Sequence, residues 1–67
     1  MTKQEVAALN DRVWPYAEVD AHYGPHVGLW YVVTNRVTGL DVPGFHNDDA
    51  EVVQLAKSIF NRYKGSE

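Results

Sequence analysis

Five consecutive large apolar residues, Leu29-Trp30-Tyr31-Val32-Val33, lie within a β-branched and aromatic run from Val27 to Thr34, in a chain of only 67 residues. A strand sends successive side chains to opposite faces, so a run that is apolar at every position presents hydrophobic surface on both. The run predicts a central strand, and the flanking segments must supply its neighbours and its cover.

Upstream, Tyr16 to Tyr23 alternates, with Ala17, Val19, Ala21 and Tyr23 on one side and Glu18, Asp20 and His22 on the other. That is the pattern of a half-buried strand, and Gly24-Pro25-His26 breaks it. Downstream, Asn35-Arg36-Val37-Thr38-Gly39 offers turn formers and a glycine able to take positive φ. Leu40 to Val42 then returns as a third, antiparallel strand, ended by Pro43-Gly44.

Two helices flank these strands. Thr2-Lys3-Gln4-Glu5 has the form of a capping box, and Val6, Leu9 and Val13 follow at helical spacing, joined by Trp14 if the helix reaches it. Pro15 disfavours helical geometry at Trp14, which places the end near Val13. The second helix opens at Asp48-Asp49-Ala50-Glu51, with Asn47 or Asp48 as its cap and acidic groups at the positive end of the macrodipole. Val52, Val53, Leu55, Ala56, Ile59, Phe60 and Tyr63 fall on one arc of it, and Gly65 is placed to stop it.

Three strands and two short helices cannot cover both faces of a sheet. The expectation is a single α+β domain over residues 1–67, ordered α-β-β-β-α, with a three-stranded antiparallel sheet and both helices packed on one face. If Arg36 to Gly39 form a four-residue turn, Val33 pairs with Val42, and Tyr31, Val33, Leu40 and Val42 share the core face. Trp30 and Val32 then lie on the open face with Thr34, Asp41 and Pro43. Cover of Trp30 by the N-terminal segment, or a register slipped by one, remains the alternative.

Composition excludes several classes. There are 0 cysteines, so neither a disulfide framework nor a thiolate zinc site is available. The net charge is -3, from 6 basic and 9 acidic residues, opposite in sign to what phosphates select. No segment approaches the roughly 18 apolar residues of a membrane span, and a polar stretch follows Met1. The chain reads as a complete cytoplasmic protein.

Chemistry-bearing constellations are sparse. His22, His26 and His46, with Asp20 and the Asp48-Asp49 pair, match no zinc spacing and read as surface or loop histidines. Asp48 and Asp49 are adjacent carboxylates with a structural reason to exist as helix caps. Ser58 and Ser66 lack the strand-to-helix elbow of a hydrolase, and no glycine-rich phosphate loop is present. No enzyme, cofactor or metal is expected.

The size and the α-β-β-β-α order resemble the double-stranded RNA-binding domain over nearly the whole chain. The local matches are Glu5 about eleven residues before Tyr16, then Gly24-Pro25-His26 in the first hairpin, and Gly44 followed six residues later by Ala50. The resemblance implies that Glu5 and His26 would touch successive minor grooves of an RNA duplex. Where that family carries lysines for the phosphates, this chain reads Asn47-Asp48-Asp49-Ala50-Glu51, and its first-hairpin loop is one residue shorter. Carboxylates facing phosphates should abolish duplex binding.

The function expected is therefore a small non-catalytic protein-binding module, acting as a regulator, adaptor or inhibitor. Its contact residues would be Trp30, Val32 and Asp41 on the open sheet and Asp48, Asp49 and Glu51 at the acidic helix start. The expected partner is a protein, a second copy of this chain through the same sheet face included. The alternative is a nucleic-acid-binding domain using Glu5 and His26.

Overall fold

A computed structural model describes residues 1–64. Its elements are α1 (Lys3–Val13), β1 (Ala17–Gly24), β2 (Gly28–Asn35), β3 (Leu40–Asp41) and α2 (Asp49–Lys64). The sheet is antiparallel in the order β1-β2-β3, and both helices contact its strands. This is the α+β arrangement expected. Gly65, expected to stop α2, and Ser66 lie outside the described residues.

Local chemistry sets each boundary. Thr2 accepts from the Glu5 backbone N–H at 3.1 Å, and the Glu5 carboxylate accepts from the Thr2 N–H at 3.0 Å, which closes the capping box. Trp14 leaves the helix with extended backbone before Pro15, and the Trp14–Pro15 peptide is cis. Asp48 caps α2, its side chain accepting from the Ala50 N–H and its carbonyl from the Val52 N–H. A cap of this kind contributes about 1 kcal/mol.

The register of the sheet follows from its two turns. Gly24 and Gly28 face each other across Pro25-His26-Val27, with Gly28 at φ +77° as a three-residue hairpin loop requires. A side chain at Gly24 would meet the Val27 methyl at 2.8 Å. In the second turn Gly39 takes φ +77°, Asn35 faces Leu40, and the Val42 N–H donates to the Val33 carbonyl at 2.8 Å. Val33 and Val42 are thus partners, as expected. Beyond them the chain bulges through Pro43 to Phe45 before the Tyr31 N–H meets the His46 carbonyl at 2.8 Å.

Leu9 and Val13 of α1, Ala17 and Val19 of β1, Tyr31 and Val33 of β2, and Val52, Ala56 and Ile59 of α2 form the core. Burial of each larger aliphatic side chain contributes about 1.5–3 kcal/mol. Tyr16 packs against Phe60 and Tyr63 beside it.

Three expectations are corrected. Leu40 shares the core face but is 69% exposed, because its partner Asn35 lies at the end of β2, beyond the packed centre. Ala21 and Tyr23 share the face of the buried Ala17 and Val19 yet are exposed, Tyr23 at 81%. The β1–β2 hairpin extends past the helices, so its periodicity continues where its cover stops. His46, read as a surface or loop histidine, is only 5% exposed. The bulge folds its ring inward, where the Nε2 atom is 3.3 Å from the Val42 carbonyl and Nδ1 is 3.3 Å from a Glu51 carboxylate oxygen.

Candidate functional site

The helices cover one face of the sheet and leave the other without cover. Strand alternation and register place Glu18, Asp20 and His22 of β1 beside Thr34, Val32 and Trp30 of β2, pair by pair. Asp41 of β3 stands opposite Thr34, whose hydroxyl donates to its carboxylate at 2.8 Å. This face is where Trp30, Val32 and Asp41 come together.

Trp30 is the centre of an aromatic row. His22 stacks on it at 4.7 Å between centroids, and Phe45 lies on its other side at 6.0 Å. Trp30 is half-buried with these two rings beside it, while the Met1 ammonium is held by the Tyr31 hydroxyl and Asp49. Phe45 is 55% exposed. At the other end of the face the Arg36 guanidinium lies 4.1 Å from the Trp14 ring and donates to Glu18 at 2.7 Å.

Between these two aromatic ends lie Val32, Thr34 and the Asp20 and Asp41 carboxylates. Glu18 is neutralised by Arg36, whereas no cation lies within ion-pair distance of Asp20 or Asp41 among the described residues. The face is therefore apolar and aromatic with a negative balance. Self-association face to face would bring like charges together without compensation.

Asp48, Asp49 and Glu51 are not part of this surface. Asp49 and Glu51 reach side chains that stand on the helix side of the sheet, and each of the three has a task within the molecule. Asp48 caps α2, and Glu51 approaches His46. Asp49 accepts from the Met1 ammonium at 2.8 Å and from the Tyr31 hydroxyl at 2.9 Å, while that ammonium also donates to the Tyr31 oxygen at 2.7 Å. The ammonium, and secondarily the Tyr31 hydroxyl, hold the Asp49 carboxyl below its usual range. Burial, reinforced by Asp49, pushes the Tyr31 phenol up to about 12.

Glu5 and His26 are also apart from the aromatic row. The Glu5 carboxylate is engaged at the α1 cap, where the Thr2 N–H and then its hydroxyl lower its pKa. His26 is exposed at the tip of the first hairpin. No group of three or more potential metal ligands is assembled among the described residues, and no helix among them is long and apolar enough to cross a membrane.

Two members of the row are not among the contact residues expected from the sequence: His22, read there as a surface or loop histidine, and Phe45. His22 was readable in principle, since a hairpin closed at Gly24 and Gly28 sets it opposite Trp30. Phe45 was not, because only the bulge after Val42 brings it beside the indole.

No family model matches the chain, and no curated protein or solved structure matches it. The element order and the three-stranded antiparallel sheet are compatible with a fold like that of the double-stranded RNA-binding domain.

Proposed function

We propose that this domain is a non-catalytic protein-binding module, a regulator, adaptor or inhibitor, whose contact surface is the uncovered sheet face and whose partner presents basic and apolar side chains. The observation that carries this reading is the row His22–Trp30–Phe45 on an uncovered sheet, beside the uncompensated Asp20 and Asp41 carboxylates. Aromatic anchors held in place by their neighbours lose little conformational entropy on binding and bury large areas. The carboxylates favour a lysine- or arginine-bearing partner and oppose a nucleic-acid backbone.

The test is a titration with short peptides in which lysine or arginine alternates with leucine or phenylalanine, against charge-reversed peptides and a duplex RNA. In a Trp14→Phe background the remaining tryptophan emission reports on Trp30. Basic peptides should change that emission and bind more weakly as salt rises. Trp30→Ala should weaken binding at least about tenfold, the size of a modest hot spot. Asp20→Asn should weaken it a few-fold and flatten the salt dependence. Equal binding of basic and acidic peptides, or preferential binding of the duplex, would refute the reading.

A further inference from the structure

We infer that the outer edge of β1 is a pairing edge for a second copy of this chain, and that pairing joins two three-stranded sheets into one. The argument begins with which backbone groups the sheet leaves unused. Val19 turns its N–H and C=O away from β2, because both meet the Asn10 side chain of α1: the N–H donates to the amide oxygen at 2.6 Å, and the carbonyl accepts from the amide nitrogen at 2.9 Å. In an antiparallel ladder the outward direction recurs every second residue. Ala21 and Tyr23 therefore also direct their N–H and C=O outward, and no hydrogen bond to those groups is made among the described residues.

Asn10 closes the edge at Val19 and leaves it open at Ala21 and Tyr23. Alongside the open part runs a groove of about 450 Å³ between β1 and α1. The consecutive residues Asp20, Ala21, His22 and Tyr23 line it, so it follows the open stretch of β1, and Leu29 of β2 borders it on the sheet side. Val6 and Ala7 form its helical wall. An added strand occupies such a groove in the same way that an extended peptide augments an exposed sheet edge.

The edge is self-complementary, which selects a second copy as the occupant. A two-fold axis through His22 sets Ala21 opposite Tyr23 of the second copy and Tyr23 opposite its Ala21, and each pair exchanges both of its N–H···O bonds. On the helix side this lays the larger ring over the smaller side chain, covering a tyrosine that is 81% exposed in the single copy. On the other side Asp20 falls diagonally next to His22 of the second copy, and the reverse. The axis also puts the two His22 rings side by side, so the row His22–Trp30–Phe45 continues into its counterpart as one aromatic ribbon.

Strand overlap is limited to residues 20–24, since Asn10 blocks the edge at Val19. Pro25, which has no N–H to lose, is what the second copy presents there. Tyr23, Val27 and Leu29 are the exposed apolar side chains near this edge. Their area is small against the roughly 800 Å² per partner of a standard interface, which places the dimer in the weak, micromolar class.

Sedimentation equilibrium across a wide concentration range tests this. The mass should rise from 7.6 kDa toward twice that value. Ala21→Pro removes an outward N–H and leaves the β1–β2 ladder intact, so it should weaken association at least tenfold while the circular dichroism of the monomer is retained. Amide exchange on the wild-type chain provides a readout that does not depend on the variant folding. Protection at Ala21 and Tyr23 should increase with protein concentration while Val27 is unchanged. A chain that remains monomeric at millimolar concentration overturns the inference, as does a dimer whose Ala21 and Tyr23 amides gain no protection. Neither result bears on peptide binding at the sheet face.

Discussion

Tyr31 and Trp30 are neighbours in β2, both large and aromatic, and the fold treats them in opposite ways. Tyr31 is 1% exposed, on the helix side of the sheet, with its hydroxyl engaged by Asp49 and the terminal ammonium. Trp30 faces the side without helices and is flanked by the His22 and Phe45 rings. Hydrophobicity alone does not decide which face becomes core. The helices decide it, because their apolar arcs meet one face and neither helix covers the other. A side chain on the covered face contributes to stability, and one on the uncovered face is available to a partner.

Truncating each residue in turn gives the largest contrast. Tyr31→Ala leaves a cavity in the core cluster and should cost about 3–5 kcal/mol. A domain of this size has only about 3–10 kcal/mol in total, so the variant should be largely unfolded in thermal or urea denaturation. Trp30→Ala removes a side chain of greater volume from a half-exposed site and should cost about 1 kcal/mol, mostly lost ring stacking. Comparable losses would mean that the two faces are not distinct in the way described.

A gentler pair of substitutions sharpens the same contrast one residue along. Val33→Thr exchanges a methyl for a hydroxyl at a position with 0% exposure and should cost about 1–3 kcal/mol, since the hydroxyl must be desolvated. Val32→Thr makes the same change on the uncovered face and should stay within about 0.5 kcal/mol. Urea midpoints at constant slope measure both. A large loss at Val32 would indicate that its face is already covered in solution, which the pairing of two copies through β1 does not produce.

Much of this contrast was legible in the sequence. The capping box at Thr2, the break at Pro15 and the arc from Val52 to Tyr63 defined the helices, because caps and periodicity are local signals. The four-residue turn from Arg36 to Gly39 fixed the register that put Trp30, Val32 and Asp41 on one face. What was illegible depended on where elements end in space. Leu40 and Tyr23 have the right periodicity for the core but lie beyond the reach of the helices. The bulge through Pro43 and Phe45, which buries His46 and delivers Phe45 to the indole, depends on a non-local pairing with Tyr31 that no short window contains. The acidic helix start looked like a docking surface because its carboxylates are adjacent in sequence. Their internal partners, Met1, Tyr31 and His46, are distant in sequence or brought near only by the bulge.

The smallest effect at neutral pH lies in the Tyr31 hydroxyl itself. Its folded pKa, about 12, stands above the value of about 10 for an exposed tyrosine, because burial and Asp49 both oppose the phenolate. The unfolded chain therefore releases this proton first as pH rises. Between about pH 10 and pH 12 it binds fewer protons at this position than the folded chain, and stability falls with pH across that window. Tyr31→Phe keeps the ring and deletes the titrating group. Near pH 7 it should lose only the hydrogen bonds to Asp49 and the ammonium. Denaturation curves of the two proteins should fall together up to about pH 10, after which the wild type should fall more steeply and close the gap. Parallel curves up to pH 12 would mean that Tyr31 is hydrated in solution, and the dry side of β2 would then have to be redrawn around Val33.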